Sequence, residues 1–177
     1  MERKNAWETY DEKQLSALEA VCRRYRAFLD AGKTERECAA ETIRQAKAAG
    51  YRDLDAAIEA GETLKAGDKV YCNVMGKSVL LFIIGREKME KGLNIIGAHI
   101  DSPRLDIKQN PLYEDNDIAY LDTHYYGGIK KYQWVTLPLA LHGVVVKKDG
   151  AVVNVAIGEK DDDPVLAVSD LLIHLAQ

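Results

Sequence analysis

Over the first fifty positions the apolar residues Leu15, Leu18, Val21, Cys22, Tyr25, Phe28 and Leu29 recur at steps of three and four. That is the period of an amphipathic helix, predicted from Glu12 to Asp30 and stopped by Gly32. Thr34 followed by Glu37 has the spacing of a capping box, and the alanine-rich run to Ala49 ends at Gly50. A second helix of about four turns is therefore predicted.

The period then changes. After a mixed stretch rich in Gly, Asp and Lys, Asp53 to Asp68, which reads as a loop, "KVYCNVMGKSVLLFIIG" is enriched in β-branched and aromatic residues. It predicts two strands with Gly76 and Lys77 at the turn. A polar turn, Glu87 to Gly92, leads into "LNIIGAHID", which is apolar on both faces. The expectation is a strand buried in the middle of a sheet.

Past Asp106 turn formers and aromatics mix, and no period holds. Glu114, Asp115, Asp117 and Asp122 fall here and read as parts of a solvated loop. Two alternating apolar runs follow around Lys148-Asp149-Gly150, and Asp-Gly between such runs is a strong hairpin signal. "EKDDDP" is a solvated acidic loop, and "VSDLLIHLAQ" begins a short helix with Ser169 or Asp170 placed to cap it. The pattern is that of an α/β chain, with helices packed on a mixed sheet and a β-rich second part.

Composition narrows the class. With 47% apolar and 29% charged residues, the 177-residue chain suits a globular protein able to bury roughly two thirds of its unfolded surface. The net charge of −4, with no basic block, argues against nucleic acid as a partner. Cys22, Cys38 and Cys72 are far apart with no C-x-x-C, which indicates neither a zinc knuckle nor a disulfide framework and suits a reducing cytoplasm. The polar N-terminus lacks the apolar core of a signal peptide, and no apolar run reaches membrane-spanning length.

The candidate chemistry sits in "IIGAHIDSPRL". Ligands of open α/β sheets bind outside the carboxyl ends of strands, and His99 and Asp101 are expected at such an end. Residues i and i+2 of an extended chain share a face. A metal-binding imidazole needs its second nitrogen held by an acceptor, so His99 as ligand with Asp101 as its orienter suits this spacing. The plainer alternative is a surface ion pair at a strand end. A catalytic zinc takes three protein ligands and an open position, and the chain has no H-E-x-x-H.

Other polar features carry less. Gly127-Gly128 suits a tight turn, since no P-loop or G-x-G-x-x-G surrounds it, and Ser102 lacks a G-x-S-x-G elbow. His124 and His142 have no ligand spacing to each other, and Lys130-Lys131 and Lys147-Lys148 read as exposed charges.

"GAHIDSPRLDIK", "PLYED", "YYGGIKKYQW" and "DPVLAVSDLLIHLAQ" occur in an order and spacing that resembles the M18 family of metalloaminopeptidases, the aspartyl aminopeptidase and aminopeptidase I group, in its bacterial form. "LKAGDKVYCNVMGKSVLLFIIG" is similar to the family's segment upstream of the motif, so the resemblance covers nearly the whole chain. It implies a zinc-peptidase-like α/β catalytic domain, of which residues 1–105 are the N-terminal part. Into it a β-rich assembly domain is inserted, of which residues 106–177 are the first part. Subunits would pair as dimers and build a larger homo-oligomer. The implied activity is metal-dependent removal of N-terminal residues from peptides in the cytoplasm, with no membrane or nucleic-acid partner.

By this resemblance His99 is a ligand of one metal of a two-metal zinc centre, for which cobalt or manganese are alternatives, and Asp101 holds its imidazole. His174 would reach a neighbouring subunit's active site to help bind substrate. The bare reading of His174 is a helix histidine at a domain surface. The family's bridging Asp, its Glu pair with the general base, a further carboxylate and a final His belong to a later half that these 177 residues do not contain. Glu114, Asp115, Asp117 and Asp122 are poor substitutes, so the chain alone is expected to be inactive. A second reading is a non-catalytic fragment or truncated paralogue that acts in self-association through apolar faces.

Overall fold

The computed structural model describes residues 3–135 and 137–168, which form two compact units, Met1–Ile100 and Asp101–Gln177. The predicted terminal helix, its caps Ser169 and Asp170, and His174 lie outside the described residues.

The first unit opens with α1, Glu12–Ala31, and α2, Glu35–Ala48. Both begin with reciprocal caps. Asp11 accepts from the Gln14 N–H at 2.7 Å while Gln14 accepts from the Asp11 N–H at 2.9 Å. Thr34 Oγ1 accepts from the Glu37 N–H at 3.3 Å, and Glu37 Oε2 accepts from the Thr34 N–H at 2.9 Å. Each pair satisfies orphan amides of a first turn, which is why the boundaries fall where the capping signals lie. Gly50 follows α2 with φ +85°, a conformation that costs a glycine little.

The Gly/Asp/Lys-rich stretch read as a loop contains more than a loop. It holds β1, Arg52–Asp53, and α3, Leu54–Glu59. Asp53 caps α3, its Oδ1 accepting from the N–H groups of Asp55 at 3.0 Å and Ala56 at 3.3 Å. Then come β2, Lys69–Val74, and β3, Ser78–Ile83, joined through Met75 and Gly76, both left-handed. β1 runs parallel to β2, and β2 antiparallel to β3, so the sheet is mixed. The predicted hairpin and the helices-on-mixed-sheet class both hold.

The unit's core is small: Cys38, Ala39 and Ala46 of α2, Ala57 of α3, and Val70 and Tyr71 of β2. Val70 and Tyr71 are neighbours in a strand and so point to opposite faces, which means that β2 is covered on both sides at its start. Alanines at the helix contacts let the backbones approach closely. By contrast α1 has no buried residue, and β3 leaves Leu80, Leu81, Phe82 and Ile83 exposed.

The expected buried strand at "LNIIGAHID" is absent. Residues 92–103 form no regular element, and Ile95 and Ile96 are 83% and 99% exposed. An extended segment becomes a strand only when a neighbour takes its N–H and C=O groups. Among the described residues the only sheet of this unit is β1-β2-β3, and this segment pairs with neither of its edges.

The second unit consists of hairpins. The stretch past Asp106, read as turn-rich, is a long one: β4, Arg104–Asp115, pairs antiparallel with β5, Ile118–Tyr126. Glu114, Asp115 and Asp122 lie in its strands rather than in a loop. Asn116 and Asp117 make the turn with φ +54° and +62°, a conformation that Asn and Asp tolerate better than most residues. The ladder is interrupted once, since Ile107 faces Thr123 and the next pair is Leu112 with Leu121. Residues 108–111 of β4 therefore stand against Asp122 alone. Beyond the bulge the Tyr113 and Tyr120 rings stack at 5.2 Å. β6, Leu141–Val146, and β7, Val152–Ile157, form the hairpin predicted around Asp149-Gly150, with Gly150 at φ +86°.

The acidic stretch after β7 is a loop, as expected, and it is organised. Asp163 Oδ2 accepts from the N–H groups of Gly158 at 2.9 Å, Glu159 at 3.1 Å and Lys160 at 3.2 Å. No helix among the described residues is long and apolar enough to cross a membrane.

Candidate functional site

His99 is an exposed side chain near the end of the first unit, and Asp101 is the first residue of the second. Both lie in the irregular segment rather than at a strand tip. What holds Asp101 is the base of the β4–β5 hairpin. Tyr126, the last paired residue of β5, faces Arg104, the first of β4. The Tyr126 hydroxyl donates to Asp101 Oδ2 at 2.8 Å.

The tyrosine is in turn held. The Arg104 guanidinium carbon lies 4.1 Å from the centre of the Tyr126 ring, a cation–π distance. Arg104 Nε donates to Asp106 Oδ1 at 2.7 Å and Nη2 to Oδ2 at 3.4 Å. Arg104 and Asp106 are two apart in a strand and share its face. Gly127 adopts φ +71° directly after Tyr126, and its Cα stands beside Pro103, where a Cβ would meet Pro103 carbons at 3.5 Å. Gly127 lies in a bend after β5, and Gly128 is in no turn, so the tight turn read for Gly127-Gly128 is a bend at the first glycine alone.

Tyr126, Arg104 and Asp106 did not stand out in the sequence as site residues. An Arg-x-Asp and a tyrosine pair before Gly-Gly are weak signals. They become informative only once the hairpin register is known.

The remaining candidates are dispersed. His124 Nδ1 lies 3.2 Å from the Tyr125 carbonyl oxygen, and His142 Nε2 lies 2.8 Å from Glu159 Oε1. Asp122 pairs with Lys108 at 3.0 Å, and Glu114 accepts from the Asp117 N–H at 2.9 Å. Those carboxylates are engaged within the hairpin itself. Among the described residues, no three His, Cys, Asp or Glu side chains are grouped closely enough to hold a metal ion. A single histidine suits one ligand position in chemistry, whereas a zinc site takes at least three protein ligands. Among the described residues the other ligands are not grouped with it.

Comparison with known proteins supplies the wider context. Residues 28–177 match the model of the family described as aminopeptidase I zinc metalloprotease (M18). Over 175 residues the chain is 61% identical to a probable M18 family aminopeptidase 1 of Clostridium acetobutylicum, covering 99% of this chain and 38% of that protein. The crystal structure of aminopeptidase I from Borrelia burgdorferi B31 superposes with a TM-score of 0.87 at 39% identity, covering 96% of this chain and 41% of that one. Aminopeptidase I from Clostridium acetobutylicum superposes with a TM-score of 0.82, covering 99% of this chain and 39% of that one. The chain thus spans well under half the length of the relatives it matches.

Proposed function

The chain belongs to the M18 family of aminopeptidases, a zinc metalloprotease family, and from that premise we propose that it contributes one metal ligand, with its orienter, to an enzyme that removes N-terminal residues from peptides. The observation that carries the reading is the coincidence of the family match with His99-x-Asp101, whose carboxylate is anchored by Tyr126 at 2.8 Å.

In a bound state, the zinc of such a centre would lower the pKa of a coordinated water and polarise the scissile carbonyl. This chain's own part is to hold. His99 presents an imidazole nitrogen, and Asp101 fixes its tautomer and ring orientation. The general base and the ligands of a second metal are residues other than these, and cobalt or manganese are alternatives to zinc at the centre. His174 contributes to substrate binding in a neighbouring subunit. Residues 1–105 form part of the catalytic domain, and residues 106–177 begin a β-rich assembly domain that pairs subunits into dimers and a larger homo-oligomer. The enzyme works in the cytoplasm on peptides, and the isolated 177-residue chain is inactive.

The test compares the 177-residue chain with the full-length protein. Zinc per subunit and chelator-sensitive release of N-terminal residues from a peptide set are measured in each, with His99→Ala as control. Activity confined to the full-length protein and lost in His99→Ala is the expected result. Chelator-sensitive turnover by the short chain, or unchanged zinc and turnover in His99→Ala, would overturn the assignment.

Self-association of the isolated chain is a second reading, favoured by the exposed apolar faces of α1 and β3. A monomer at all concentrations in sedimentation equilibrium removes it.

A further inference from the structure

The reading of His99 as a metal ligand, on which this inference rests, leaves open what fixes the fixer. A carboxylate orients a histidine only as well as it is itself held, and such outer partners tune metal affinity nearly as much as the ligands do. Asp101 precedes β4 by three residues, and Tyr126 closes β5, so the pairing of Arg104 with Tyr126 brings the phenol to the carboxylate across 25 positions of sequence. The Arg104 guanidinium carbon backs the ring at 4.1 Å from its centre, and Asp106 holds that guanidinium at 2.7 Å. A carboxylate accepts from several donors, and the phenol at Oδ2 is one of them.

We propose that Tyr126 is a positioning residue of the metal site, acting through Asp101, with Arg104 and Asp106 as its support. The base of the β4–β5 hairpin is then a working part of the centre rather than only the root of an assembly element. The hydroxyl is the operative group, and the ring serves to aim it.

The experiment uses the full-length protein and the Zn2+ ion alone, with its dissociation constant read by competition against a chromophoric chelator. Tyr126→Phe keeps the ring on Arg104 and deletes only the hydroxyl. It is expected to weaken zinc binding about 10-fold, to lower kcat with little change in KM, and to leave the unfolding temperature where it was. Asp101→Ala weakens zinc comparably, and adding Tyr126→Phe to Asp101→Ala changes nothing more, as for two residues acting in one line.

Unchanged zinc affinity in Tyr126→Phe, or additive losses in the double variant, would overturn the proposal. A weakened His99→Ala beside an unaffected Tyr126→Phe removes this inference alone. An unaffected His99→Ala removes the ligand assignment, and this inference with it.

Discussion

Replacing Glu41 by Gln tests how α2 is stabilised on its outer side. Glu41 accepts from Arg44 Nε and Nη2, both at 2.6 Å, and from Gln45 Nε2 at 2.8 Å. These bonds, the Arg44 pair first and Gln45 next, hold the carboxyl well below its ordinary 4.5, at about 2. The Arg44 side chain is 68% exposed and that of Glu41 12%, so water screens half of the pair. An exposed ion pair at this spacing is worth a few tenths of a kcal/mol, and the two-pronged geometry with a third donor raises that to about 1 kcal/mol. The sign follows from the lowered value. The contribution is complete above the ordinary 4.5 and is lost as the pH falls towards about 2, with less than half left near pH 3.

The assay is urea unfolding followed by far-ultraviolet circular dichroism at pH 6 and pH 3, at low and high salt. Glu41→Gln is expected to be less stable by about 1 kcal/mol at pH 6 and by clearly less at pH 3 or in high salt. Equal stability at pH 6, or a deficit that ignores pH, would refute the argument.

Two further outcomes are expected. Val70 is 1% exposed at the sheet's covered start, so Val70→Ala removes two buried methyl groups and costs about 2 kcal/mol in the same unfolding assay; a loss under about 0.5 kcal/mol would mean that the core closes around the gap. Asp163 is held below the usual aspartate range by the amides of Lys160 and Gly158, then Glu159. The turn after β7 should therefore stay ordered above that range and loosen as the pH falls through the lowered value, seen as amide-exchange protection of Gly158, Glu159 and Lys160. Asp163→Asn should lack that transition, and wild-type protection that does not change as Asp163 becomes protonated would contradict the account.

What the sequence made legible follows from how local each signal is. α1, α2 and the hairpins β2–β3 and β6–β7 rest on neighbours within a few residues: a capping pair, an Asp-Gly turn, a period. α3 has its own local cap at Asp53, but six helical residues give too little periodicity to stand out from a Gly/Asp-rich stretch. β4–β5 was hidden by Pro111, by an Asn-Asp turn in place of Asn-Gly, and by a bulge that breaks the alternation. "LNIIGAHID" failed in the opposite direction, because an apolar run states that it should be covered and says nothing about which strand will pair with it.

The candidate site divides along the same line. His99 and Asp101 are two residues apart and could be read together. Tyr126 meets Asp101 only through a register that no short window of sequence contains.

The bulge in β4 divides the hairpin into two separately registered halves. From Ile107 to Leu112 the chain takes five steps while β5 takes two, from Thr123 to Leu121, an odd number against an even one. The slack is taken up within residues 108–111, so each side of the interruption keeps its own alternation. The register of the outer half is thus set by its own turn, and that of the inner half by the pairing that brings Tyr126 to Asp101.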